Sequence, residues 1–161
     1  REPSLIATYA KEFLALLKSR HNRLVWGAMI ALDTITSEKP KEVFSVLPLL
    51  LKTADAGSVI TRDHYVSILI KLSAIKQFTG KTFPLLIEQL QTCPTNQLPM
   101  YAENETGIIN DSNKNLFLKT LRRRLNEVEK ESKRKRIEKV IKKTELKTID
   151  VSAQYYHKLK L

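Results

Sequence analysis

The stretch Arg23–Ile35, RLVWGAMIALDTI, decides the fold that this sequence predicts. Its apolar residues recur at i, i+4, i+7, i+8 and i+11, the spacing of one buried helix face. They are Leu24, Ala28, Ala31, Leu32 and Ile35. Small side chains at Gly27, Ala28 and Ala31 allow another helix to come close. We therefore expect a buried helix here, covered by neighbours on more than one side.

The rest of the chain shows the same helical spacing of apolar residues, which predicts eight helices joined by short turns. They form four successive pairs, and the first helix of each pair contains a phenylalanine: Phe13, Phe44, Phe83 and Phe117. These lie 31, 39 and 34 residues apart. A unit that repeats at this interval is typical of an α-solenoid, in which each pair buries its apolar face against the next. A closed helical bundle is the competing architecture.

Prolines predict where several helices begin or bend. Pro40 is well placed to open the third helix, at 41–53, and Pro48 inside that helix should kink it or remove one hydrogen bond. Pro84 is tolerable in the first turn of the fifth helix, expected at 81–91, after a turn at 78–80.

The segment Lys11–Ile35 resembles the HEAT-repeat, or armadillo-type, superfamily. The second helix of such a repeat commonly has an Ala, then Ala-Leu three residues later and Ile three beyond, which here are Ala28, Ala31-Leu32 and Ile35. The chain departs from the family at Ser19 and Val25, where an Asp and an Arg are frequent. The resemblance implies an all-α, right-handed α-α superhelix of about four helix pairs. It would form a single domain over 1–145, with a C-terminal tail or short capping helix at 146–161.

The resemblance also implies that the second helices line a concave binding surface, without implying any chemistry. Trp26 and Asp33 lie nearly opposite the predicted apolar stripe, and the matching face of the fourth helix would be their neighbour in a solenoid. The candidate partner-binding surface therefore comprises Trp26, Asp33, Asp63, Ser67 and Lys71. The alternative is that Trp26 packs under an adjacent helix or a preceding repeat.

The net charge of +11 is concentrated in the last third of the chain. Residues 111–161 hold 16 Lys and Arg against 7 Asp and Glu, whereas residues 1–110 hold 12 against 10. The candidate basic patch comprises Arg122, Arg123, Arg124, Lys133, Arg134, Lys135, Arg136, Lys139 and Lys143. Such a patch can bind phosphate groups or an acidic protein surface. A solvated cap is the alternative, because interleaved glutamates can pair with these cations. We expect Arg123 to point most directly away from the core, flanked by Arg122 and Arg124.

Other motifs give little support to catalysis. Gly80-Lys81-Thr82 matches only the tail of a phosphate-binding loop, because Ile75 stands where the motif needs a glycine. The three histidines have no partner at metal-ligand spacing, and a surface or capping role is expected for each. A nucleophilic pair of Cys93 with a histidine has no local support. We therefore expect no catalytic, cofactor-binding or metal-binding residues.

The sequence as a whole predicts a non-catalytic helical-repeat binding or scaffold module that mediates protein–protein interaction. A nucleic-acid-binding module using the basic C-terminal helices is the alternative. A DNA glycosylase-like enzyme is a third, since some HEAT-like proteins hold damaged DNA with Trp, Asp and Arg side chains. A single cysteine and no visible secretory signal favour a reducing, cytoplasmic location, and no apolar run is long enough to span a membrane.

Overall fold

The chain is all-helical, as predicted. The computed structural model describes residues 2–158, and the side chains of residues 2–146. Helices make up 76% of the chain, and the part that the structure describes contains no strand. The chain divides into two compact units, the first ending at Leu86 and the second beginning at Ile87.

The first unit contains six helices and the start of a seventh. They are α1 Pro3–Ala7, α2 Ala10–Leu16, α3 Asn22–Ile35, α4 Pro40–Ser45, α5 Leu47–Ala56, α6 Val59–Ser73 and α7 Lys76–Thr92, which continues into the second unit. Helix α3 packs against α1, α2 and α6, and α6 packs also against α5. The expectation that the 23–35 helix is covered from more than one side is therefore confirmed.

The buried face of α3 is not quite the one that its apolar stripe predicts. Leu24 is 44% exposed, whereas Met29 is fully buried and Asp33 is only 9% exposed. The expectation that Leu24 belongs to the buried stripe is wrong, because α6 packs against the side of α3 that carries Asp33. Hydrogen-bond donors on α6 make that burial possible, as described below.

Pro48 divides a predicted helix in two, where the sequence predicts a kink or one lost hydrogen bond. The predicted helix at 41–53 is split at Val46 into α4 and α5, with Pro48 in the first turn of α5. A proline has no N–H and its ring collides with the carbonyl four residues earlier, so one continuous helix cannot pass through Pro48 without distortion.

Helix α7 begins at Lys76, five residues before the predicted start, so Pro84 lies inside it and the expected turn at 78–80 is helical. Phe78 is buried and stacks on Phe44, with ring centroids 4.5 Å apart. This tertiary contact lies within the additional helical turn. Gly80-Lys81-Thr82 consequently lies within a helix rather than in a phosphate-binding loop.

The second unit contains the end of α7 followed by α8 Leu98–Glu105, α9 Lys114–Leu125 and α10 Glu131–Lys158. Helix α10 packs against both α8 and α9. The fully buried side chains include Leu98, Phe117, Leu121 and Ile137. The predicted tail at 146–161 lies, apart from residue 146, outside the residues whose side chains are described. The single solenoid domain over 1–145 stays a prediction.

Candidate functional site

A polar cluster joins α3 to α6 in the first unit, and Asp33 is its centre. Ser67 Oγ donates a hydrogen bond to Asp33 Oδ1 at 2.8 Å, and Lys71 Nζ lies 2.8 Å from the same oxygen. Lys71 Nζ also donates to the Asp33 main-chain carbonyl at 2.6 Å. His64 Nδ1 lies 2.8 Å from Asp33 Oδ2. Both carboxylate oxygens therefore have partners from a single face of α6.

This arrangement buries the acid and leaves its partners partly exposed. The Asp33 side chain is 12% exposed, while those of His64 and Lys71 are 28% and 35% exposed. A buried carboxylate is tolerable only when it is paired and hydrogen-bonded. The contacts from α6 meet that condition and hold the donors in fixed positions. Chemically, the cluster offers oriented donor groups at a surface.

The structure thus brings together three of the five residues in the candidate partner-binding surface: Asp33, Ser67 and Lys71. Trp26 lies two turns earlier on α3 and is partly buried, and Asp63, next to His64 in the sequence, is partly buried as well. His64 is the member that sequence reasoning missed, since only a surface or capping role is predicted for it. Its spacing of three and seven residues from Ser67 and Lys71 places all three on one helix face, which is the available signal.

Most of the candidate basic patch is engaged in contacts within the second unit. Besides Arg124, five of its nine cations have polar partners close by. The pairs are Arg122 with Glu145, Arg136 with Glu103, Lys135 with Glu131, Lys133 with Asn96, and Arg134 with the Val128 carbonyl. The Arg136 pair is bidentate, with N–O distances of 2.8 and 2.6 Å, and its hydrogen bonds hold the pKa of the Glu103 carboxyl below its ordinary value.

Arg124 does not lie on an exposed surface beside Arg123, as the sequence suggested. It is 8% exposed, and its Nη1 donates to the carbonyls of Leu90 and Cys93 at 2.9 and 2.7 Å. Its Nε donates to Glu127 Oε2 at 2.8 Å. The last carbonyls of a helix lack partners within the helix, and here α9 supplies them at the end of α7. The role of Arg124 is therefore to tie two helices together.

Three cations of the patch remain exposed without an ion pair among the residues whose side chains are described: Arg123, Lys139 and Lys143. Lys139 and Lys143 line one cavity of about 240 Å³ together with Arg136, Thr106 and Glu103. Arg123 lines another, of about 380 Å³, with Lys119, Arg124, Glu127 and the exposed Leu116. Each cavity is lined by three cations and one carboxylate, so a net positive charge remains there for an anion.

Two further ionisable groups of the second unit are buried. Cys93 is 1% exposed, and burial raises the pKa of its thiol to about 11 despite the nearby Arg124. A nucleophilic cysteine needs the opposite shift, toward the thiolate. Glu105 is fully buried, neither carboxyl oxygen has a hydrogen-bond partner within the described residues, and burial raises its pKa well above the ordinary value.

The part of the chain that the structure describes contains neither a cluster of metal ligands nor a helix suited to cross a membrane. No three His, Cys, Asp or Glu side chains between residues 2 and 146 are grouped so that they could hold a metal ion. No helix in the described part of the chain is long and apolar enough to cross a membrane. Comparison with known proteins finds no family model, no curated protein and no solved structure that matches this chain.

Proposed function

We propose that this protein is a non-catalytic helical binding module that recognises a protein partner through one face of α3 and α6. The proposed surface comprises Trp26, Asp33, Asp63, His64, Ser67 and Lys71. The observation that carries this proposal is the Asp33-centred cluster, in which a buried acid orients partly exposed side chains of the neighbouring helix.

The physical support is preorganisation. Immobilising a long side chain on binding costs about 0.5–1.5 kcal/mol, and Lys71 is already held by two hydrogen bonds to Asp33. The third N–H of the Lys71 ammonium and the exposed edge of the His64 ring are then held in fixed directions by the contacts with Asp33. A HEAT-like solenoid of helix pairs fits this role, because such folds use their second helices as binding surfaces. A cytoplasmic setting belongs to the same proposal and is supported by the single, unpaired Cys93.

The experiment is cross-linking and affinity capture with the parent chain and matched surface variants. We expect a protein captured by the parent to be lost with Trp26→Ala and with Lys71→Ala, and retained after nuclease treatment. Lys41→Ala is the control, because Lys41 is exposed on α4 of the same unit and outside the cluster. Capture that survives both surface variants would refute the proposed surface.

A nucleic-acid-binding function is the second candidate, and the exposed Arg123, Lys139 and Lys143, which line cavities of net positive charge, favour it. Contacts of this kind would reach the phosphate backbone and carry no base specificity. In the capture experiment, loss of the captured material on nuclease treatment would support this function in place of the first.

A further inference from the structure

The first unit contains an open groove that the surface proposed above does not include. Its volume is about 490 Å³, within the range of roughly 300–1,000 Å³ found for ligand sites. One wall is formed by Leu17 at the end of α2 and Val25 in the first turn of α3, and the other by Leu49 and Ala56 of α5.

The groove exists because α5 uses only one of its faces for the core. Leu50 and Ala54 are buried, and α5 packs against α6. Leu49, Lys52 and Ala56 are spaced three and seven residues apart, so they share a different face of the helix, which borders the groove. Thr53 also lines it, but its hydroxyl is satisfied by the Leu49 carbonyl at 2.9 Å. The wall that α5 presents is therefore mainly apolar.

The charge at the groove is entirely positive. Lys18 and Lys52 are the two ionisable residues that line it, and both are exposed. Neither forms an ion pair with any residue whose side chain is described. The nearest acid on α5, Asp55, lies 3.6 Å from Arg62 and is paired there. An apolar cleft flanked by two unneutralised ammonium groups is complementary to an apolar segment that carries carboxylates.

We propose that this groove binds an acidic amphipathic helix of a partner protein, with apolar side chains between α3 and α5 and carboxylates against Lys18 and Lys52. Docking of an amphipathic helix into an apolar groove is a recurrent mode of peptide recognition. The site lies apart from the Asp33 cluster, since Val25 and Asp33 are eight residues apart on α3, or about 12 Å along the helix axis. The inference consequently does not rest on the function proposed above.

The experiment selects random peptides on the full chain from a display library and then measures their affinity by fluorescence anisotropy. We expect the selected peptides to combine Leu, Ile or Phe at helical spacing with Asp or Glu on the flanks. Simultaneous Lys18→Glu and Lys52→Glu substitution should weaken their binding by about tenfold or more, and Lys18→Ala with Lys52→Ala by a smaller factor. Simultaneous Lys41→Glu and Lys76→Glu substitution is the control, because both lysines are exposed in the same unit and outside the groove.

Three results would overturn the proposal: no enriched peptide, enrichment of neutral or basic peptides, or affinity indifferent to charge at Lys18 and Lys52. Displacement of the peptide by decanoate, with decanoate alone binding as tightly, would assign the groove to a small amphiphile. Circular dichroism and thermal unfolding of each variant verify that it is folded. Lys71→Ala should leave peptide binding unchanged, which separates failure here from failure of the α3–α6 surface.

Discussion

Each of the two units contains a cluster in which one charged side chain links two helices of that unit, and the central charges of the two clusters have opposite signs. In the first unit the centre is an acid, Asp33 of α3, and its partners are side chains of α6. In the second unit the centre is a base, Arg124 of α9, and its partners are two main-chain carbonyls at the end of α7 together with Glu127. Both clusters link residues that are more than thirty positions apart in the sequence.

The two clusters differ in how much of their side chains stays exposed. Arg124 donates to two main-chain carbonyls at the end of α7, and its side chain is only 9% exposed, so its role is structural. His64 and Lys71 are held by Asp33 but keep a third of their surface, or nearly so, open to a partner. Arg124 directly follows two exposed arginines, so charge in the sequence alone does not distinguish a binding residue from a structural one.

The largest expected effect is that of Arg124→Met. The change leaves the Cys93 carbonyl without its Arg124 donor and the Leu90 carbonyl with only the weak Cys93 thiol at 3.9 Å, at roughly 1–3 kcal/mol for each unsatisfied group. We expect the free energy of unfolding to fall by about 2–4 kcal/mol, measured by urea denaturation. Arg123→Met, the matched exposed neighbour, should change it by no more than about 0.5 kcal/mol. Equal effects of the two substitutions would contradict the structural role of Arg124.

Asp33→Ala tests the cluster of the first unit and should cost less, about 1–2 kcal/mol. Water can reach His64 and Lys71 once the carboxylate is gone, because both are partly exposed. The same urea titration measures the effect. If Asp33→Ala lowers the free energy of unfolding as much as Arg124→Met does, the donors on α6 serve mainly to stabilise the fold and not to form a binding surface. Ser67→Ala removes one donor only and should have the smallest effect in the cluster.

Glu105 sharpens the comparison, because it is a buried acid without the donors that Asp33 has. Burial raises its pKa in the folded state, so the folded protein prefers the protonated carboxyl. That preference stabilises the fold below the ordinary pKa of about 4.5 and is lost as the pH rises toward the raised value. A single group can contribute at most about 1.4 kcal/mol per pH unit.

We therefore expect Glu105→Gln to unfold at a higher temperature than the parent at neutral pH, with the difference shrinking toward pH 4.5. Thermal unfolding between about pH 5 and pH 8 is the measurement. Cys93 does not interfere, because its raised pKa of about 11 keeps the thiol protonated throughout this range. A difference in melting temperature that does not vary with pH would show that the Glu105 carboxyl does not titrate in the folded state as described.

The smallest expected effect concerns the exposed cations of the second unit. If Arg123 binds a nucleic-acid backbone, Arg123→Glu should make the fall of log affinity with log salt less steep. The magnitude of the slope should decrease by about 0.7–0.9 for each phosphate that Arg123 neutralises. Lys135→Glu is the matched control, since Lys135 lies 3.6 Å from Glu131 on its own helix. A mixed-sequence duplex and a single strand, each titrated at several salt concentrations, provide the measurement. Weak binding that is indifferent to salt and to both reversals would leave Arg123 as part of a solvated cap.

Part of the candidate site is accessible from the sequence. The helices expected at 23–35 and 61–75 are predicted neighbours, which places Asp33 near Ser67 and Lys71, and the structure brings those three side chains together. His64 is absent from that prediction, because a histidine without a metal-ligand partner is typical of a surface position. Recognising its role requires knowing that α6 turns this face toward α3.

The helical class and most of the breaks between helices follow from the amino-acid sequence alone. Those features depend on local physics: apolar side chains at helical spacing, and the missing N–H of prolines such as Pro48. Tertiary packing, by contrast, selects which face of each helix is buried. Leu24 is exposed and Asp33 buried because donors on α6 compensate the carboxylate. Arg124 is buried because the end of α7 supplies free carbonyls. Both outcomes depend on partners more than thirty residues away, which no local pattern specifies.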